Sequence, residues 1–544
     1  MDSNPKPTVH GSRSAWQDPK ARRETVQAGT LKLLRVGSVW LLIAAALLTG
    51  CASGLYDTDR SYTRSVDPPS DTKLATAVAA WQQRSGTASG FVPLIDGLEA
   101  LGTRLELIAL AESTIDAQYF ILKSDASGYL FTSALAAAGR RGVRIRLLID
   151  DLSTPVDDAS LLLLDSMDNI EVRLFNPIGR GGFYWGNFVR YFERANRRMH
   201  NKTFIVDNSA GVIGGRNIGN EYFALKNKDE FFDVDLLVAG NAAKPTSETF
   251  DTFWNHPLSV PMAAYAERVS DKKQSAARKR AELGVSDAAE QHRDRVIAAG
   301  IIDEVLEGKL PLYPGTARAI TDDPDKLLTE PSGEFQVVIN EVTRAMRQAR
   351  REILIVTPYL IPGDSGVAFL GELVDKGIRV AILTNSLASN NHIPVHSAYQ
   401  RYRPRLLEAG VELYEVRASA SVYYQDLGPI DSRANDRLTM HTKGVIIDRQ
   451  LVYAGSLNID PRAIELNTEF GLLIESPELG ETFASLFDNR VNGPSIYGVE
   501  LTDGRLQWRA SEDGEDRILT REPDAGFWRR FLAQISKILP EKQL

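Results

Sequence analysis

This 544-residue chain carries one pattern twice, and that duplication constrains its fold more tightly than any local propensity. Gly142-Val143-Arg144-Ile145-Arg146-Leu147-Leu148-Ile149 recurs as Gly377-Ile378-Arg379-Val380-Ala381-Ile382-Leu383-Thr384. Each copy follows a helical pattern (Leu130 to Arg141; Val367 to Lys376), so each reads as a helix feeding a buried strand. Ile170-Glu171-Val172-Arg173-Leu174 answers Val411-Glu412-Leu413-Tyr414-Glu415, and Met199-His200-Asn201-Lys202 answers Met440-His441-Thr442-Lys443. These last two matches are each 241 residues apart, whereas Gly142 and Gly377 are 235 apart, so the length difference is confined to the helix and loops between the matched strands. Strands alternating with helices predict an α/β architecture with a largely parallel or mixed sheet in each half.

The halves are expected at 76–269 and 326–544, separated by a charged linker over 270–325. Runs such as Asp271-Lys272-Lys273 and Arg278-Lys279-Arg280 read as a solvated helix face. At 43% hydrophobic and 25% charged residues, the chain can bury a core in each half. Its single cysteine excludes a disulfide framework, a cysteine zinc site and an iron-sulfur cluster. That cysteine, Cys51, follows Lys32, Arg35 and an apolar run from Val36 to Thr49. A 14-residue helix spans about 21 Å, short of the ~30 Å hydrocarbon core, so 1–51 reads as a signal segment. Leu48-Thr49-Gly50-Cys51 resembles a bacterial lipobox, which implies lipidation at Cys51, with 52–75 and its Pro68-Pro69 as a tether. The long preamble before Lys32 leaves open a translation start later than Met1. The first 50 residues hold seven basic and three acidic side chains, so losing them takes the net charge from -8 to -12 and disfavours nucleic acid as a general partner.

The repeat carries the chemistry. His441, Lys443, Asp448, Gly455, Ser456 and Asn458 spell H-x-K-x4-D-x6-G-S-x-N. His200, Lys202, Asp207, Gly214, Gly215 and Asn217 repeat that spacing, with Gly215 in the place of Ser456. On a strand, residues i and i+2 share a face, so each histidine projects beside its lysine. Two histidines, two lysines and two asparagines converging from two halves supply a nucleophile, an acid and a cationic cradle for phosphate, to which glycines admit backbone N–H groups. Neutral imidazole can attack phosphorus, and imidazolium can protonate a leaving oxygen. Each imidazole also needs an acceptor on its second nitrogen. Glu469, 28 residues after His441, and its counterpart Asp233 are the candidates, with Asp235 a rival on the same strand face as Asp233.

Three further features read less sharply. His392 and His396 have i, i+4 spacing, which suits either a metal pair or a helix start, but no third ligand lies nearby in sequence. Phe183 to Phe192, an aromatic stretch leading into Arg194, Arg197 and Arg198, fits a lipid-entry lip, a base-stacking platform or plain helix packing. Phe527, Trp528, Phe531, Leu532, Ile535 and Leu539 form an apolar helical stripe suited to domain docking or to a membrane interface.

With these residues in place, the chain from about Leu94 to Asn489 resembles the phospholipase D superfamily, and within it the two-motif bacterial cardiolipin synthases of C type. Ile115-Asp116-Ala117-Gln118-Tyr119-Phe120, Gly214 to Gly219 with Tyr222-Phe223, Thr384 to Ala388 and Asn467-Thr468-Glu469 add to the likeness. The resemblance implies two tandem α/β halves with mixed sheets, related by a pseudo-twofold, with one active site at their interface and neither metal nor cofactor. It also implies a phosphohistidine intermediate and phosphatidyl transfer to an alcohol. His200 would be the nucleophile and His441 the general acid. Lys202, Lys443, Asn217 and Asn458 would bind phosphate with Gly215 and Ser456, and Asp207 and Asp448 would brace the site.

The expected function is thus a membrane-associated transphosphatidylase acting on phosphatidylglycerol, with phosphatidylethanolamine a second lipid to test. The alternatives are a hydrolase or nuclease of the same superfamily and a non-catalytic envelope lipid-binding protein. The acidic mature chain counts against the nuclease, and two intact motifs count against the pure binder. The lipobox places the chain on the bacterial envelope facing the periplasm, with inner and outer membrane both open. The sequence names no protein partner.

Overall fold

A computed structural model describes residues 58–67, 70–152, 154, 156–178, 192–225, 230–282, 287–419, 438–512 and 515–541. Cys51, the signal segment and nearly all of the aromatic stretch lie outside the described residues.

The strands of the first half are β1 (Ser89–Leu94), β2 (Thr114–Tyr119), β3 (Arg144–Asp150), β4 (Ile170–Phe175), β5 (Thr203–Val206), β6 (Ala210–Gly214), β7 (Glu230–Phe232), β8 (Asp235–Gly240) and β9 (Ser259–Pro261). Those that follow are β10 (Tyr313–Thr321), β11 (Glu352–Val356), β12 (Arg379–Asn385), β13 (Glu412–Val416), β14 (Leu438–Met440), β15 (Gly444–Ile447), β16 (Leu451–Gly455), β17 (Phe470–Glu475), β18 (Ile496–Thr502), β19 (Arg505–Glu512) and β20 (Glu515–Leu519). Parallel pairing joins β2, β3 and β4, and antiparallel pairing adds β5, β6, β8 and β1 on one side and β9 on the other. The second half repeats this scheme: β11, β12 and β13 are parallel, with β15, β16, β17 and β10 on one side and β18 on the other. Each sheet is therefore mixed, as the alternating pattern predicts. β10 also pairs with β1, so one ladder runs through both halves.

Two stretches differ from expectation. The segment 270–325 is not a free linker: Ala289, Val296, Ile301 and Ile302 are buried in the core of the first half, and β10 is the strand that joins the sheets. Its charged faces stay exposed while one apolar stripe finds a partner, which raw charge density hides. Likewise, the described residues of the tether lie against the first half. Arg60 donates to the carbonyls of His256, Pro257 and Ser259, Ser65 N donates to Asp251, and Lys73–Ser85 is a helix capped by Thr72.

Local chemistry sets the element ends. Asp96, Asp125 and Asp157 each cap a helix by accepting a backbone N–H three residues on. The hairpins β5–β6 and β15–β16 turn at Asp207 and Asp448, both with positive φ, which aspartate tolerates better than most residues. As a result, His200 and His441 each sit just before an inner strand, near the C-terminal ends of the parallel strands.

Candidate active site

Each histidine lies in an extended link rather than within a strand, one step beyond the ladder its sequence alternation foretells. Pairing between the halves holds these links. β14, which ends at Met440, runs parallel to β7, and His441 N donates to Phe232 O at 2.6 Å. In the mirror arrangement Met199 bridges Thr468, and His200 N donates to Thr468 O at 2.9 Å. The carboxylates follow the same crossing. His200 Nδ1 lies 2.9 Å from Glu469, and His441 Nδ1 lies 2.8 Å from Asp233. Each imidazole is thus oriented by the other half, so neither half completes its site alone. Asp235, the rival, is instead bound by Arg104 at 2.8 Å and by Arg216 N at 3.2 Å.

The remaining sequence-predicted residues divide by position. Lys202 and Lys443 are buried beside their histidines, with Lys443 Nζ 2.8 Å from His441 Nδ1. Asn217 donates to Tyr222 Oη at 2.9 Å and accepts from Ile121 N, whereas the buried Asn458 Oδ1 has no partner among the described residues. Gly215 and Ser456 each lie against the carboxylate of their own half. Ser456 Oγ donates to Glu469, and a Cβ at Gly215 would fall within 2.9 Å of the Asp233 carboxyl carbon and closer still to its oxygens. They serve the orienting carboxylates, because a short aspartate needs the space that the longer glutamate leaves to a serine. Asp207 accepts the N–H groups of Glu112, Ser113 and Thr114, and Asp448 those of Arg350, Arg351 and Glu352, so both hold the adjoining strand rather than touch the centre.

Several residues had no role in the sequence reading, Phe120 and Asn385 entering only through the family likeness and Asp150 and Phe231 not at all. Phe120 meets His200 edge-on at 5.0 Å and Phe231 stacks on His441 at 5.2 Å, and both imidazoles are buried. Asp150 accepts Met199 N and ion-pairs with Arg198, while Asn385 bonds both N and O of Met440. Asp150 and Asn385 occupy matching positions of the Gly142 and Gly377 repeats, a correspondence already present in the sequence. The i, i+4 histidines serve packing: His392 precedes the helix Ile393–Glu408 and meets Tyr359, and His396 is buried against Arg403.

Burial dominates the electrostatics. It pushes His200 well below its ordinary value, helped by Lys202 and Lys443, and it lowers His441 to about 3, helped by Lys443. Burial also lowers Lys202 to about 7 and Lys443 to about 8, and raises Glu469 to about 7. For Asp233, burial opposes ionisation but Lys443 and His441 outweigh it, so its carboxyl titrates below the usual range. Two neutral imidazoles, one ionised carboxylate and two readily charged lysines form a site poised to receive an anion.

Comparison with known proteins decides the lineage. A model of the cardiolipin synthase, phospholipase D-like domain matches residues 105–254 and 342–491, one match in each half. The chain belongs to this family. It is 36% identical over 482 residues to cardiolipin synthase C of Escherichia coli, covering 87% of this chain and 99% of that protein. It is 25% identical to the major cardiolipin synthase ClsA of Bacillus subtilis, over 78% of this chain and 74% of the other. Among solved structures, the phosphatidylserine synthase of Haemophilus influenzae shares the fold with a TM-score of 0.50 at 14% identity, covering 78% of this chain and 91% of its own.

Proposed function

We propose that the chain is a phosphatidyltransferase that makes cardiolipin through a phosphohistidine. The observation that carries this is the crossed pairing of His200 with Glu469 and His441 with Asp233, which brings two oriented imidazoles together between buried lysines. His200 Nε2 attacks the phosphorus of phosphatidylglycerol, and the bond to the glycerol oxygen breaks as His441 gives that oxygen a proton. Lys202, Lys443, Asn217 and Asn458 bear the charge on the non-bridging oxygens. Once glycerol departs, the hydroxyl of a second phosphatidylglycerol attacks the phosphatidyl-histidine while His441 removes its proton, which frees His200. A bound phosphate anion raises His441 from its low resting value, so His441 takes up a proton from solvent as the substrate binds. Water at ~55 M competes with the acceptor, so transfer over hydrolysis needs an enclosed, lipid-filled site.

The same reading places the protein at a membrane. The C-terminal helix Phe527–Ser536 docks through Ala533 and Arg529, and its apolar stripe faces outward, with Phe527 72% and Trp528 70% exposed. Among the described residues no helix is long and apolar enough to cross a membrane. The lipobox at Cys51 supports anchoring on the periplasmic side of the envelope, and a Cys51→Ser variant that took up labelled fatty acid as wild type does would remove that support. The catalytic test is incubation with phosphatidylglycerol, with or without phosphatidylethanolamine, followed by acid quench. Cardiolipin and an adduct lost in His200→Ala are expected. Cleavage of single-stranded DNA without lipid turnover would instead identify a nuclease.

A further inference from the structure

The halves do not fill equivalent space equally. In the first half, Arg104, Tyr119 and Phe131 pack as one buried block. Arg104 Nε donates to Tyr119 Oη at 3.0 Å, and the Tyr119 and Phe131 rings meet edge to face at 5.7 Å. Asp207 and Asp448 bind matching amides, which sets Thr114 level with Glu352. Tyr119 therefore corresponds to Thr357 and Arg104 to Val342, while the Gly142 and Gly377 match sets Phe131 against Gly366. Three large side chains become three small ones, and Val342, Thr357 and Gly366 all line a cavity of about 290 Å³. The strands beneath do not close it: Phe204 and Val212 become Val445 and Tyr453, an exchange of comparable bulk.

The cavity has a direction. Its inner end reaches Gly444 and Ile459, the residues that follow Lys443 and Asn458 of the phosphate cradle. Its outer end reaches Arg347, whose guanidinium lies 4.9 Å over the Phe369 ring. Along the wall, among Val342, Ile355, Leu370 and Leu457, the threonine hydroxyls are tied to the backbone: Thr357 to Tyr359 O and Ile459 N, and Thr343 to Ile339 O and Asn340 O. A polar guest would forfeit hydrogen bonds there, whereas each methylene of a hydrocarbon chain gains by leaving water.

We propose that this cavity is an acyl-chain site, holding one fatty-acyl chain of the phospholipid whose phosphodiester lies between the histidines. This rests on the phosphatidyltransferase reading and deepens it. Because the first half fills the equivalent space with Arg104, Tyr119 and Phe131, a pseudo-symmetric centre acquires a chemical direction, with the chain bound on the His441 side.

The test separates the cavity from catalysis by measuring binding. Wild-type protein is titrated with butyl phosphate and with dodecyl phosphate below its micelle concentration, alongside Val342→Phe and Thr343→Phe, two independent plugs. Wild type is expected to prefer dodecyl phosphate at least tenfold. The plugs should erase that preference, keep butyl phosphate binding, and unfold at the same or a higher temperature. A preference that survives both plugs, or a wild type indifferent to chain length, overturns the proposal. Should both plugs misfold, a crystal of wild type with ω-bromododecyl phosphate decides: bromine in the cavity supports it, and bromine elsewhere overturns it. Failure of wild type to turn over any lipid would instead sink the phosphatidyltransferase reading.

Discussion

Replacing Gly215 with serine makes the first copy of the motif match the second, yet it should damage the enzyme. The new Cβ would stand within 2.9 Å of the Asp233 carboxyl carbon, closer than real Cβ contacts come, and a carboxylate held by His441 at 2.8 Å has no free side to yield. Overpacking of this kind costs about 1–3 kcal/mol of stability. The larger effect is on catalysis, because the displaced Asp233 turns the His441 ring, and a misplacement near 1 Å is worth roughly 10²-fold in rate. The second half shows what would compensate, since Ser456 coexists with the longer Glu469 and donates to it. Gly215→Ser combined with Asp233→Glu should therefore recover at least tenfold over the product of the single losses, the non-additivity expected of groups in contact. Cardiolipin formation by the four proteins of the cycle, with urea unfolding of each, measures both terms. Gly215→Ser within twofold of wild type, or strictly multiplicative losses, would refute the reasoning.

Other outcomes follow from the same geometry. Sulfate keeps its charge between pH 6 and 9.5, so its binding reports the lysines. Lys202 near 7 and Lys443 near 8 are ammonium groups at pH 6, and calorimetric affinity should fall as pH rises through those values, on the order of tenfold for each unit by which bound sulfate raises a lysine. Flat affinity across that range would show that the lysines do not carry the anion. Asp207→Ala strands three amides at the start of β2, and urea unfolding should register about 2–5 kcal/mol lost, with the lipid chemistry of the remaining folded protein little changed. Phe527→Glu with Trp528→Glu, in a chain beginning at residue 58, should lower flotation with phosphatidylglycerol vesicles at least tenfold, since each fully buried aromatic is worth ~1.5–3 kcal/mol. Unchanged flotation would return that helix to a structural role.

Much of the site was legible because it is written in local spacing. The H-x-K pairs, the 241-residue offset and the strands around them identify His200, Lys202, His441 and Lys443, and the matched strands bring forward Asp233 and Glu469. Alternation along a strand and repetition along a chain are properties of neighbours, so they survive in one dimension. What sequence left open were relations across distance. Asp233 and Asp235 share a face and differ only in whether a histidine or two arginines reach them. His200 bonds Glu469 from 269 residues away and His441 bonds Asp233 from 208, a crossing that no spacing encodes because it arises where β7 meets β14 and Met199 meets Thr468. Likewise, Gly215 reads as a missing serine until the Asp233 carboxylate is seen in its place. Equivalent positions can be counted off in the sequence, but whether Val342, Thr357 and Gly366 leave a hollow depends on what the neighbouring layer inserts. The sequence alone thus determined the family and the candidate residues for its chemistry. The tertiary structure decided which group acts on which, because packing and hydrogen bonding join surfaces that the chain brings together only on folding.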